Sequence, residues 1–176
     1  RTSENLSLRT KRVTVATIFG VVIFVSKTVA PSPIDKMLVF VQALLLALGA
    51  LLLKKMGATY VAVVGGVLTA LWRTEFAPFT FFFVLLYGFL VDVIFLFFKV
   101  DAVDGSVKAG RLVVAMTLST MLIGLLSYYV TTLLIGLIQR NLLLEVSILV
   151  IGTFNGALAG YFASVIWNKH LRNVNI

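Results

Sequence analysis

The sequence predicts an all-α integral membrane bundle of six transmembrane helices with both termini cytoplasmic. Three observations carry that expectation. The chain of 176 residues is 60% hydrophobic, with a mean hydropathy of +1.07. Its apolar residues fall into six runs joined by short charged connections. The basic residues sit mostly on alternate connections. A soluble domain of this length could not bury so much apolar surface, so lipid must solvate it.

A hydrocarbon core of about 30 Å needs roughly 20 helical residues, or somewhat fewer where flanking groups snorkel. Runs without central charge cover residues 13 to 30, 37 to 53, 57 to 72, 78 to 98, 111 to 138 and 144 to 168. They divide the chain into an N-terminal cytoplasmic segment (1–12), a six-helix transmembrane domain (13–168) and a C-terminal tail (169–176). The first run follows Arg9, Lys11 and Arg12 as a signal sequence would, but it exceeds a signal core of about 7 to 15 residues and reads as a retained helix. The chain opens on Arg1 rather than Met, and further N-terminal residues are expected before it.

The second and third runs are short, and Lys54 and Lys55 between them can reach headgroups. Met56-Gly57 supplies the hairpin, with Gly57 expected to take the left-handed conformation that ends a helix. The fifth run is long and should tilt, bend or protrude. Strands are excluded by run length and by the lack of strict alternation. Pro31-Ser32-Pro33 stiffens the first outer connection.

Orientation follows from the basic residues. With the N-terminus inside, the inner set is Arg1, Arg9, Lys11, Arg12, Lys54, Lys55, Lys99, Lys108, Arg111, Lys169 and Arg172, against Lys27, Lys36, Arg73 and Arg140 outside, a split of 11 to 4 of the 15. The chain is thus expected to be a multi-pass membrane protein. The pI near 10 is then topological and implies no nucleic acid, because the charges form no single patch with interleaved aromatics. No cysteine is present, which excludes disulfides and thiolate metal sites. The only histidine, His170, reads as a tail residue.

Three outer connections each bring one acid and one base: Asp35 with Lys36, Arg73 with Glu75, and Arg140 with Glu145 beside Asn141. Trp72, Phe76, Phe79, Phe81, Phe82 and Phe83 surround Arg73 and Glu75, and Tyr128 and Tyr129 lie in the fifth run. Aromatic faces with a few charges suit a flat, polar heterocycle. A solvated interface explains such charges equally well, and an interfacial aromatic belt accounts for at least half of the rings. Within the spans Asp92 is the sharpest anomaly, since a carboxylate near a helix centre costs a few kcal/mol on insertion scales. It is expected to face the bundle or to pair with a cytoplasmic base. Gly152, Gly156 and Gly160 form a flat stripe for internal packing, and Ala16 with Gly20 makes a weaker small-residue pair.

Six spans in under 200 residues, both termini inside, a small-x-x-x-small pair in the first helix and a Pro-containing outer loop together resemble the substrate-binding S component of energy-coupling factor (ECF) vitamin transporters. The stretch KMGATYVAVVGGVLTALWRTEFAPFTFFFVLLYGFLVDVIF resembles that family's third and fourth helices, and TKRVTVATIFGVVIFVSKTVAPSPIDK its first helix and outer loop. The resemblance implies capture of a vitamin or vitamin precursor at an outward pocket. It also implies docking on a transmembrane T component driven by two ATP-binding subunits. Docking would fall on Ala16 and Gly20. The pocket would be built from Asp35, Trp72, Arg73, Glu75, Phe79, Tyr128, Arg140 and Glu145, with residues 31 to 36 as a lid.

Two other classes compete. Asp101, Asp104 and Gly105 resemble part of an acidic metal motif of membrane phosphotransferases, but Lys108-Ala109 stands where that motif has Ala-Arg, and no second acidic pair follows. No catalytic constellation, metal site or cofactor is expected. A small scaffold or accessory subunit of a larger membrane complex would use the same small-residue faces without needing a pocket.

Overall fold

The computed structural model describes residues 2–29, 39–54, 56–72, 77–101, 105–136 and 139–172, with the side chains of 2–8, 29 and 77 excepted. Among them there are six helices: α1 (Thr2–Val29), α2 (Val39–Leu53), α3 (Gly57–Trp72), α4 (Ala77–Phe97), α5 (Ala109–Tyr129) and α6 (Leu142–Ile166). The last two each run on into a π-type turn, Val130–Leu134 and Trp167–Leu171. Three stretches, Pro78–Phe97, Ala109–Leu134 and Leu142–Leu171, are long and apolar enough to cross a membrane, whereas α2 and α3 are shorter apolar helices. The described residues thus form an all-helical structure with three helices suited to crossing a membrane by length and composition.

Helix α1 starts well before residue 13, so part of the expected N-terminal segment is helical. Arg and Lys are good helix formers, and Arg9, Lys11 and Arg12 are exposed there. Its hydroxyls bond back to the preceding turn: Thr14 to the Thr10 carbonyl (2.9 Å) and Thr17 to that of Val13 (2.8 Å). Such bonds let polar side chains sit on a helix in an apolar medium.

The shortest helix is the most enclosed. VFVQALLLALGALLL has no polar face, and a helix that is apolar all round belongs in a core. Accordingly α2 packs against all five other helices, and every residue from Leu46 to Leu53 is buried. Its first turn meets the last turns of α6 through the Phe40–Phe162 edge contact (5.7 Å). Its other end approaches α3 closely. A Cβ on Gly57 would strike the Gly49 carbonyl, so glycine is required by backbone contact. Among the described residues of this hairpin the left-handed ones are Lys54 (φ 58°) and Met56 (φ 54°), not Gly57 as the sequence suggested. For a residue with a Cβ that conformation costs about 1–2 kcal/mol. The Gly57 N–H donates to the Lys54 carbonyl (3.3 Å).

The glycine stripe of α6 is internal packing. Cβ atoms at Gly156 and Gly160 would lie 2.7 Å from Thr117 Cα and 2.6 Å from Val113 Cα, so α5 and α6 run antiparallel in near backbone contact. Gly20 is used similarly: its Cβ would meet Val64 at 2.7 Å, and Ala16 is 5% exposed. The Ala16–Gly20 face therefore lies within the chain, and α1 turns Val13, Ile18, Val21, Val22 and Val25 outward instead.

Candidate functional site

The helix pairings divide the polar residues between two ends. Asp92 ties the C-terminal part of α4 to the start of α3. Asn168 and Trp167 tie the end of α6 to the connection before α5: the Val107 N–H donates to Asn168 Oδ1 (2.9 Å), Asn168 Nδ2 donates to the Val107 carbonyl (3.2 Å), and Trp167 Nε1 donates to the Gly105 carbonyl (3.2 Å). That end carries Lys54, Lys99, Lys108, Arg111 and Lys169. Since α1 lies alongside α3 in the same sense, Gly20 by Val64 and Phe24 by Trp72, it also carries Arg9, Lys11 and Arg12. The opposite end holds Trp72, Tyr128, Tyr129, Arg140 and Glu145. The alternation of basic connections in the sequence is thus a separation in space.

Asp92 is 6% exposed. Its carboxylate accepts from the Ala58 N–H (3.1 Å), the Thr59 N–H (2.8 Å) and the Thr59 hydroxyl (2.6 Å). The first N–H groups of a helix have no partner within it, and an anion there is also favoured by the helix dipole. Asp92 is an N-cap supplied by another helix. It faces the bundle, the first of the two placements expected from sequence, and its partners are α3 backbone and the Thr59 hydroxyl rather than a cytoplasmic base. A buried Tyr87–Thr120 hydrogen bond (2.8 Å) joins α4 to α5 in the same interior.

At the opposite end, the turn between α5 and α6 brings together residues that the sequence proposed for a pocket. The π-type turn closes with the Ile135 N–H donating to the Val130 carbonyl (3.1 Å). Asn141 then caps α6, its side chain accepting from the Leu143 N–H (2.9 Å). Tyr128, 4% exposed, holds that cap by two bonds: its hydroxyl accepts from the Asn141 N–H (3.0 Å) and donates to the Asn141 carbonyl (3.2 Å). Tyr129 donates to Glu145 Oε1, and the two tyrosine rings stand edge to face at 5.5 Å. Glu145 lies in the first turn of α6, where the dipole favours a carboxylate. Arg140 is exposed one residue before the cap. In the π-type turn itself, Thr132 Oγ1 is buried and has no hydrogen-bond partner among the described residues.

This group has a carboxylate with one oxygen engaged and, beside it, the half-buried ring of Tyr129. Such a set can hold a flat ligand bearing a positive charge or N–H donors. The other expected residues fall elsewhere. Trp72 is 68% exposed and packs edge-on against Phe24 of α1 (6.3 Å), and Phe79 is 44% exposed on the first turn of α4. Among the described residues, no ring contact or hydrogen bond links either of them to the tyrosines. Asp35, Arg73 and Glu75 lie outside the described residues. The role of Tyr128 as a clamp on the cap was hidden in the sequence, because its partner is backbone. Tyr129 had a visible signal in its spacing from Glu145 across a turn. No protein-family model, curated protein or solved structure matches the chain.

Proposed function

We propose that the chain is the substrate-capture subunit of an ECF-type importer, a multi-pass protein of the plasma membrane with six spans and both termini cytoplasmic. It binds a vitamin or vitamin precursor at the end bearing Tyr128, Tyr129 and Glu145. It docks on a T component powered by two ATP-binding subunits. The observation that carries this reading is the Tyr128–Tyr129–Glu145 group, at the end opposite most of the described basic residues. Residues that bias orientation towards the cytoplasm are thereby separated from residues suited to a ligand. A thiamine-like or pyrimidine-like cation fits a carboxylate flanked by rings better than an anionic vitamin does. Capture involves no covalent step. The bundle binds outside and then reorients.

Since Gly20 packs against α3 and Ala16 is buried, docking on α1 would use its outward face, including Ile18 and Val21. Binding of thiamine, riboflavin and biotin to the purified protein, read by calorimetry, tests the reading. One of them should bind. Glu145→Gln should weaken it by about tenfold or more, the scale of a hydrogen bond to a charged group, whereas Lys169→Ala should not. Equal losses for the two variants would return Glu145 to a solvated interface.

A second reading, a scaffold or accessory subunit of a larger membrane complex, is favoured by α6. Its outward residues Val150 (63% exposed) and Phe154 (64% exposed) lie on an apolar face that no other helix covers. Stable association with another membrane protein in the absence of any bound small molecule would support it.

A further inference from the structure

The α3–α4 seam carries a feature that substrate capture does not use. Between the two helices lies an open groove of about 240 Å³, wholly apolar at its surface and lined by Thr59, Phe82, Leu85, Leu86 and Phe89. Thr59 has no hydroxyl to offer there, because that group is bonded to Asp92. The Thr59 end of the groove is the end at which α3 begins and α4 finishes. Two exposed lysines stand at that same end, Lys54 in the turn before α3 and Lys99 in the turn after α4.

Both lysines adopt left-handed backbone, with φ of 58° and 49°. With Met56 they are the non-glycine residues that do so among the described residues. Glycine is the residue that ends helices in this conformation most easily. Here lysine takes that place, and both exposed side chains bring positive charge to the same end of the helix pair.

We infer that the α3–α4 seam is a binding site for an anionic phospholipid, with one acyl chain in the groove and the phosphate against Lys54 and Lys99. Charge complementarity selects this occupant. Basic groups beside helix ends on the cytoplasmic side recognise anionic headgroups, and a wholly apolar lining suits a hydrocarbon chain. A zwitterionic lipid would fill the groove but gain less from the lysines. The inference rests on the membrane placement of α4 and is independent of the capture proposal.

The test uses the full chain purified in detergent and exposed to dioleoyl phosphatidylglycerol or dioleoyl phosphatidylcholine, with retained lipid counted by native mass spectrometry. Phosphatidylglycerol should be retained over phosphatidylcholine by roughly five-fold for each lysine engaged. Lys54→Gln with Lys99→Gln should bring the two lipids to parity, while Arg111→Gln with Lys169→Gln keeps the preference. Phe82→Ala with Phe89→Ala, at exposed positions, should lower retention of both lipids. Inorganic phosphate should leave the melting temperature unchanged. Equal retention by the wild type, a preference that survives loss of Lys54 and Lys99, or stabilisation by phosphate alone would each overturn the assignment.

Discussion

Replacing Asp92 with leucine should destabilise the protein, although it removes a carboxylate from an apolar helix. The reason lies in what the carboxylate holds. Two backbone N–H groups, of Ala58 and Thr59, and the Thr59 hydroxyl all donate to it in a buried position. Each buried donor left without an acceptor costs about 1–3 kcal/mol, and the lost anion at the helix start adds about 0.3–2 kcal/mol. Against this stands the removal of an intramembrane charge, about 2.5–3.5 kcal/mol on insertion scales. That last term applies largely to both the folded and the unfolded membrane-embedded chain, so it offsets only part of the loss. A net change of about 2–3 kcal/mol corresponds to a fall of roughly 4–12 °C in melting temperature for a chain of this size. Thermal unfolding in detergent, followed by circular dichroism, measures it. Asp92→Asn should fall between wild type and leucine, because it keeps one acceptor oxygen, and Thr59→Ala should lose only about 1 kcal/mol. An unchanged or raised melting temperature for Asp92→Leu would refute the trans-cap.

At the α5–α6 contact, Gly156→Leu should abolish a stable fold, since Thr117 Cα lies 2.7 Å from the added Cβ, while Gly110→Ala, with open space around it, should be neutral or stabilising by up to about 1 kcal/mol in the same melt. Asn168→Ala removes both bonds to Val107, and hydrogen exchange at Val107 should rise by about ten-fold for a loss near 1.4 kcal/mol. On α1, Gly20→Trp should lower the melting temperature, whereas Val21→Trp, at a position 39% exposed, should leave it intact and block assembly with a T component as read by co-purification. Assembly that tolerates Val21→Trp and Ile18→Trp would remove α1 from the docking surface.

The helix count, the boundaries of α3 and the glycine stripe were legible in the sequence, because charge, chain length and small-residue spacing are properties of the residues themselves. The centrality of α2 was not, since a run that is apolar on every side has no periodicity to tell a buried helix from a lipid-facing one. Asp92 was visible as an anomaly, but two of its three donors are backbone N–H groups on another helix and carry no sequence signature. The same holds for Tyr128 on Asn141 and Asn168 on Val107. The family resemblance assigns docking to Ala16 and Gly20. Small-residue spacing does not say whether the approaching helix belongs to the same chain, and for Gly20 it is α3. Of the expected pocket, Tyr128, Arg140 and Glu145 share one turn, whereas Trp72 and Phe79 lie elsewhere.

Native mass spectrometry of the protein gently extracted from its own membrane tests the capture reading most directly. A single small molecule of vitamin type should be retained at one per chain and lost on Glu145→Gln, with a T component and two ATP-binding subunits present in the larger assemblies. A chain that carries no small molecule and associates with other membrane proteins but no ATP-binding subunit would contradict it.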